Sequence, residues 1–381
     1  MRPSKRSAQR LRLTSPRWGW RVSRSTGALT WVTQRLDEVV SLQRGHDLTW
    51  RDRRPGSVPV MGSAGANGMH DSAIAPGPGV VLGRSGASFG QAHYVEVDYW
   101  PHNTALYVTD FHGNSPRYVY NLLRYIDFSR YNSGGAQQSL NRNFIAGIIL
   151  PIPDPVEQGQ ITEAIDDAER LIAMLVALIA KKRDIKQGIM QELLTGKTRL
   201  AGFAGDWRDV RLGDVLTVRH GRSQKAVEDP TGVYPILASG GQIGWSRTAL
   251  YMKPSVLIGR KGTIDRPQFQ DRPFWTVDTL FYTEVSPSAD PRFIYYVFLT
   301  IDWRSMNEAS GVPSLSSSRV ESAEVRVPEL EEQKAIRAVL DDADAEIDAL
   351  KRRLDSARAI KTGMMQELLT GQTRLPVEAA S

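Results

Sequence analysis

The stretch "MQELLTGKTRL" (residues 190–200) is written again as "MQELLTGQTRL" (365–375), with one letter changed. Each copy closes a longer match. "WVTQRLDEVVSLQRG" from Trp31 pairs with "WRDVRLGDVLTVRHG" from Trp207, at an offset of 176. Pro59, Gly68, Gly83, Arg84 and Gly86 meet Pro235, Gly244, Gly259, Arg260 and Gly262 at that offset, and Thr104 and Tyr107 meet Thr279 and Tyr282 at 175. "SGGAQQSL" (133–140) corresponds loosely to "SGVPSL" (310–315), and "PVEQGQITEAIDDAE" to "LEEQKAIRAVLDDAD". Residues 31–200 and 207–375 are two copies of one unit, more alike at their ends than in their middles. A period this long excludes solenoids and propellers. Each copy must be a domain followed by a second element.

The second element is a helix. In the second copy Ile336, Leu340, Ala343, Ile347, Leu350, Leu354, Ala357, Met364 and Leu368 alternate spacings of 4 and 3, with Lys361 interrupting. The first copy gives Ile161, Ile165, Ala168, Ile172, Leu175, Ile179, Ile189 and Leu193, with Lys182 and Lys186 interrupting. A 3.5-residue period is a coiled-coil seam. Prolines precede both starts, and Gly196 and Gly371 sit at both ends, as helix punctuation should. Roughly 38 residues at 1.5 Å each make a rod of about 57 Å. One such rod alone exposes its stripe; two in one chain bury both by pairing antiparallel. Gly188 and Gly363, at matched positions in the last turns, suggest close packing of another backbone, on this chain or a partner, with fraying as the alternative.

The segments before the helices read as α+β domains of ordinary size. Runs such as "GVVLG" (79–83), "AHYVEVDYW" (92–100) and "SVLIG" (255–259) alternate with Gly-rich turns, and "SPRYVYNLLRYI" (115–126) and "DPRFIYYVFLTI" (290–301) read as short helices. The expected boundaries are a basic extension at 1–30, a first domain at 31–153, a first helix at 154–200, a second domain at 201–328, a second helix at 329–375 and a tail at 376–381.

Composition narrows the function. The chain has no cysteine, which excludes thiolate zinc sites, disulfides and thiol nucleophiles. No run approaches the 18 apolar residues of a membrane span. The net charge is +6, but residues 1–30 carry eight arginines and lysines and no acid, which leaves the remaining 351 residues at −2. That arm reads as a disordered segment, a phosphate-touching arm or translation upstream of the true start.

The duplicated order of variable domain and long helix resembles the specificity subunits of type I restriction–modification systems over about residues 31–375. The motifs are "W…RLGDV…G" (Trp207 to Gly221), "VLIGRKGT" (256–263), "VPELEEQKAI" (327–336) and "MQELLTG". No single one is diagnostic; the ordered set, occurring twice, is specific. The resemblance implies two target recognition domains, each reading one half of a bipartite duplex DNA site. It also implies two spacer helices, paired antiparallel and fixing the distance between the domains, which face opposite strands under a pseudo-two-fold axis. It implies no catalysis and no cofactor on this chain. S-adenosylmethionine, ATP and Mg²⁺ would belong to partners: two modification subunits that methylate adenine, with restriction subunits able to join them. The setting would be cytoplasmic, without a membrane.

Enzyme motifs are weak. "TGKT" (195–198) follows a helix rather than a strand and lacks the first P-loop glycine, since position 191 is Gln. "EQK" (332–334) matches the tail of a nuclease triplet but falls on a helix start, where a solvated face is the plainer reading. The six histidines show no metal-ligand spacing. A protein-binding adaptor, an inactive specificity allele and an enzyme built from scattered acids are the rival readings.

Base discrimination needs paired donors or acceptors on loops that approach the duplex, and glycine lets backbone come close to phosphate. In the first domain the loops 43–46, 62–67, 83–86 and 132–139 offer Arg44, Arg84, Ser85, Gln137 and Gln138. In the second, the loops 219–225, 238–242, 259–263 and 309–314 offer Arg222, Lys225, Arg260, Lys261, Thr263 and Ser314. Arg84, Arg260 and Lys261 lead, because they recur in one Gly-flanked loop. Charge is in tension with this reading: residues 31–150 carry ten basic and nine acidic residues, and 201–328 fifteen and fourteen. DNA binding therefore requires local segregation of charge or phosphate contacts from partners.

Overall fold

A computed structural model describes residues 31–134 and 138–375. It divides into two compact units, one running up to Ala173 and resuming at Asp355, the other Met174–Leu354. In the first, the strand Val32–Arg35 pairs antiparallel with Ile149–Ile152, so the domain opens and closes at one two-stranded base. Above it lies a four-stranded antiparallel sheet in the order Ser41–Arg44, Ala105–Asp110, Gly79–Gly83, Ala92–Val95. A three-stranded sheet follows, Gly65–His70, Val58–Gly62 and Trp100–Pro101, with the last pair parallel.

The central strand Gly79–Gly83 is buried at every position. Its period-2 alternation sends Val80 and Leu82 into one core with Tyr118, Val119, Leu122 and Leu123 of the helix Pro116–Tyr125. Val81 goes to the opposite face, with Met61, Tyr99 and Tyr107. That helix starts where Ser115 accepts the Tyr118 amide and Pro116 fixes the first turn.

The second domain repeats the plan. Arg208–Arg211 pairs with Glu324–Val327 at the base, and Leu216–His220, Leu280–Val285, Ser255–Gly259 and Gln268–Gln270 form the four-stranded sheet. Gly241–Ser246, Tyr234–Ala238 and Trp275–Thr276 form the three-stranded one. Val256 and Ile258 face Phe293, Ile294 and Val297 of the helix Pro291–Phe298, while Leu257 packs with Leu237, Phe274 and Tyr282.

The long helices are Pro155–Leu193 and Leu330–Leu369. Of the seam positions, Ile161, Ile165, Leu175, Ile179, Ile336, Leu340, Ile347 and Leu354 are buried, and Ile172 and Leu350 are half-buried. The lysines that interrupt the pattern are paired. Lys182 meets Glu346 at 2.6 Å and Lys186 meets Asp344 at 2.5 Å, with rising numbers on one helix against falling numbers on the other, which is antiparallel. In the first unit Lys361 meets Glu169 at 2.5 Å, and Ile161 and Ile165 share a core with Leu368 and Leu369. Among the described residues, and outside their own helix backbones, a Cβ at Gly188 or Gly363 would meet no heavy atom within 4 Å, so no close approach by this chain is seen at either.

The repeated string is a lock, and its letters have separate tasks. Gly196 and Gly371 end the helices at φ 71°, the left-handed region where glycine is favoured. Each lies against an indole, Trp207 or Trp31, with a Cβ position 3.3 or 3.1 Å from the ring. Thr195 and Thr370 donate back to the carbonyls of Gln191 and Gln366, both at 2.6 Å. Thr198 and Thr373 donate to the carboxylates of Glu192 and Glu367 at 2.8 and 2.6 Å. Arg199 grips Glu332 through two bonds of 2.6 and 2.7 Å. Arg374 grips Glu157 through two bonds of 2.5 Å. The one letter that differs, Lys197 or Gln372, is exposed.

Beside the lock, Gln158 accepts the Ser115 amide at 2.9 Å, and Gln333 accepts that of Asp290 at 2.9 Å. Each glutamine thereby ties the start of a long helix to the start of a domain helix. In the "EQK" stretch Glu332 and Gln333 are therefore not on a solvated face, while Lys334 is exposed. The Glu332 side chain is 3% exposed because it neutralises Arg199, and Gln333 is 1% exposed.

Candidate DNA interface

In the first domain a cleft of about 930 Å³ is lined by Arg44, His46, Asp47, Arg84, Ser139 and Arg142, among others. Arg84 sits where three segments cross. Its amide donates to the Thr104 carbonyl at 3.0 Å, its carbonyl accepts the Leu140 amide at 2.7 Å, and its guanidinium reaches the Asn103 carbonyl at 3.4 Å. Ser85 bridges to Ser139. The loop beyond is closed by Asn132, whose Oδ1 accepts the amides of Gly134 and Ser139, both at 3.0 Å. Gly83 is obligatory, because a Cβ there would lie 2.0 Å from the Ser88 carbonyl oxygen.

The second domain builds the same frame. Arg260 donates its amide to Thr279 at 2.9 Å, accepts that of Leu315 at 3.0 Å and reaches the Asp278 carbonyl at 3.3 Å. Lys261 bridges to Ser314. Asn307 accepts the amides of Ala309 and Ser314 at 3.1 and 2.9 Å. A Cβ on Gly259 would lie 2.1 Å from the Thr263 carbonyl oxygen. Trp275 holds the other rim by donating to the Arg222 carbonyl at 2.9 Å.

The structure thus brings Arg44, Arg84 and Ser85 together beside Gln138, and Arg260, Lys261 and Thr263 together beside Ser314. Arg222 occupies the position that His46 holds in the first domain, and Lys225 is exposed further along its loop. Gln137 lies outside the described residues. His46 and Asn132 lie within the loops read from the sequence but are not singled out there, and Asn307, Asn141 and Arg142 lie outside them. The loose match of "SGGAQQSL" to "SGVPSL" hid the clamp. The Asn bonds show the two loops to be equally long, Asn132–Leu140 against Asn307–Leu315, at an unbroken offset of 175. Charge does segregate locally, since Arg44, Arg84 and Arg142 face one acid, Asp47, around the first cleft. Behind the rim, burial and then nearby Arg53 push the His102 imidazole below its ordinary range.

Among the described residues no cluster of three or more His, Cys, Asp or Glu could hold a metal, and no helix is long and apolar enough to cross a membrane. What the residues build is a pair of loop frames with one plan and two sets of rim side chains.

The chain belongs to the type I restriction modification DNA specificity domain family, whose model matches it twice, at residues 29–181 and 204–357. It is similar to the type I restriction enzyme MjaVIII specificity subunit of Methanocaldococcus jannaschii, 21% identical over 62% of this chain and 64% of that protein. It is also similar to the MjaX specificity subunit of the same organism, carried there as a provisional assignment, 23% identical over 67% and 65%. The matched region is just under two thirds of the length of these relatives. The fold is that of the type I restriction–modification S subunit crystal structure from M. genitalium, with a TM-score of 0.64 at 15% identity, covering 91% of this chain and 98% of that one.

Proposed function

We propose that this chain recognises a bipartite duplex DNA target, one half-site per domain, and directs partner subunits to methylate or cleave DNA there. The observation that carries the reading is the frame built twice around Arg84 and Arg260. Backbone clamps are the same in both domains, while the side chains they present differ: Ser85 against Lys261, His46 against Arg222, Gln138 against Pro313. A constant frame with exchangeable rims is what two independent readers need. Residues Arg44, Arg84, Ser85, Gln137 and Gln138 would serve the first half-site, and Arg222, Lys225, Arg260, Lys261, Thr263 and Ser314 the second. The guanidinium groups suit phosphate or guanine and the amides suit adenine.

The chemistry would be supplied in the cytoplasm by two modification subunits carrying S-adenosylmethionine, which methylate adenine after flipping it from the stack. Restriction subunits using ATP and Mg²⁺ would add cleavage. The test is genome-wide adenine methylation in a host without its own system, with cognate modification subunits expressed with and without this chain. The expected outcome is one split motif that disappears when this chain is omitted. A soluble, assembled complex that marks no motif would overturn the reading.

A further inference from the structure

The segment Thr49–Arg54, "TWRDRR", leaves the first reader's rim after Asp47 and Leu48 and has no counterpart of its kind in the second domain. Its tip is a closed turn. The Asp52 amide donates to the Thr49 carbonyl at 3.1 Å, and the Thr49 hydroxyl donates to the Asp52 carboxylate at 2.6 Å. The turn is anchored on both sides. Leu48 is buried before it. After it, the Arg53 guanidinium donates to the Asn67 carbonyl at 2.5 Å, the Arg54 amide donates to His70 Nδ1 at 3.1 Å, and Arg54 pairs with Asp71 at 2.7 Å.

This fixed turn holds Trp50 outward at 78% exposure, with the Arg51 guanidinium over its ring at 5.2 Å. Arg51 forms no ion pair among the described residues. Single apolar side chains on a surface are ordinary. Trp50 differs because a built turn presents it and a free cation is stacked on it. At the same offset the second domain has Ala226 and Val227, followed by Glu228 and an Asp229 that Arg247 neutralises. Residues 49–54 offer three arginines against one aspartate, with Arg54 paired to Asp71, while the matching 225–230 offer Lys225 against Glu228 and Asp229.

We propose that Trp50 and Arg51 form a DNA-gripping finger unique to the first reader, with the indole packing on a deoxyribose face of the backbone beside the half-site and Arg51 on a neighbouring phosphate. This rests on the DNA reading above and extends it beyond the cleft. Two features favour nucleic acid over a protein surface. The finger is continuous with the cleft rim through Gly45–Asp47, and Arg53 ties it to Asn67, at the end of the glycine-rich loop 62–67. A tryptophan capped by an arginine suits the backbone of a duplex, whose deoxyribose faces are apolar and whose phosphates are anionic, and such contacts do not depend on the base.

The test uses the full complex with modification subunits and a duplex carrying the methylation motif. Affinity is measured across a salt series for Trp50→Ala, Trp50→Phe, Arg51→Gln and a control, Val233→Ala, an exposed residue of the second domain. Trp50→Ala should weaken binding by about tenfold, within the range expected for burying a large apolar side chain. Trp50→Phe should recover most of it, and Val233→Ala should change nothing. Arg51→Gln should lower the salt slope by about one. The motif itself should persist in every variant. A wild-type complex that selects its motif while Trp50→Ala and Arg51→Gln bind within twofold of it would overturn the finger alone. Loss of subunit assembly in Trp50→Ala would overturn it in favour of a protein contact. A wild-type complex with no preferred motif would overturn both this proposal and the reading beneath it.

Discussion

At the scale of single residues, two carboxylates show two ways in which pairing holds a structural acid. Glu332 is held inside by Arg199, whose guanidinium is 27% exposed. Removing one partner of a fully buried pair costs about 3–5 kcal/mol because a charge is stranded. Arg199 stays partly solvated, so Arg199→Ala should destabilise the second unit by less than that. A double-mutant cycle with Glu332→Gln, read by urea denaturation, should return a coupling energy well above that of Arg358 and Asp355, an exposed pair. Asp229 is different. The Thr231 amide and then Arg247 hold its carboxyl down to about 2. A depressed acid stabilises the fold above its unfolded value and loses that contribution as pH falls through its folded one. The denaturation midpoint of the second domain should therefore drop between about pH 4 and pH 2, and Asp229→Asn should flatten that slope. An unchanged slope in the variant would refute the assignment.

At the scale of elements, the helices were legible and the loops were not, for a physical reason. A coiled-coil seam is written locally, every third or fourth residue, so the stripe at Ile161–Ile179 and Ile336–Leu354 could be read without knowing what faced it. The interrupting Lys182, Lys186 and Lys361 broke the pattern, and only the facing acids Glu346, Asp344 and Glu169 explain them. The loop clamp is non-local. Asn132 acts on Ser139, and that loop acts on Arg84 about fifty residues away, so no periodicity announces it. The same limit applies to Glu332, whose partner Arg199 is 133 residues distant. The matched helix glycines show the converse, where a pattern suggested a close approach by this chain or a partner and no described residue of this chain makes one. Since a Cβ at Gly188 or Gly363 meets only open space, Gly188→Ala and Gly363→Ala should each stabilise the chain by up to ~1 kcal/mol. By contrast, Leu340→Ala, at 0% exposure, should cost about 2–5 kcal/mol by leaving a cavity in the seam. Thermal unfolding of the three variants separates the two signs, and destabilisation by either glycine substitution would contradict the open geometry.

At the scale of the whole molecule, duplication leaves each domain self-contained. Each compact unit buries its own core, one around Val80, Leu106 and Leu122, the other around Ile258, Phe281 and Phe293. Each domain enters and leaves its frame through one paired base, Val32 opposite Ile152 and Arg208 opposite Val327. Neighbouring strands lie about 4.7–4.9 Å apart, so the two ends of either domain present the same short span to the rest of the chain. The locking residues lie outside that span: Trp31, Glu157 and Arg374 for one unit, Trp207, Glu332 and Arg199 for the other. Replacing the interior 36–148 by 212–323 would therefore cut only at equivalent paired strands and leave both locks intact. Such a chain should fold with a denaturation midpoint close to that of the parent and assemble with the same modification subunits. Its methylation motif should keep one parental half and lose the other, with both halves now the same sequence. Retention of the parental first half would show that specificity is read from the helices or the partners, and the domains would then be spacers rather than readers.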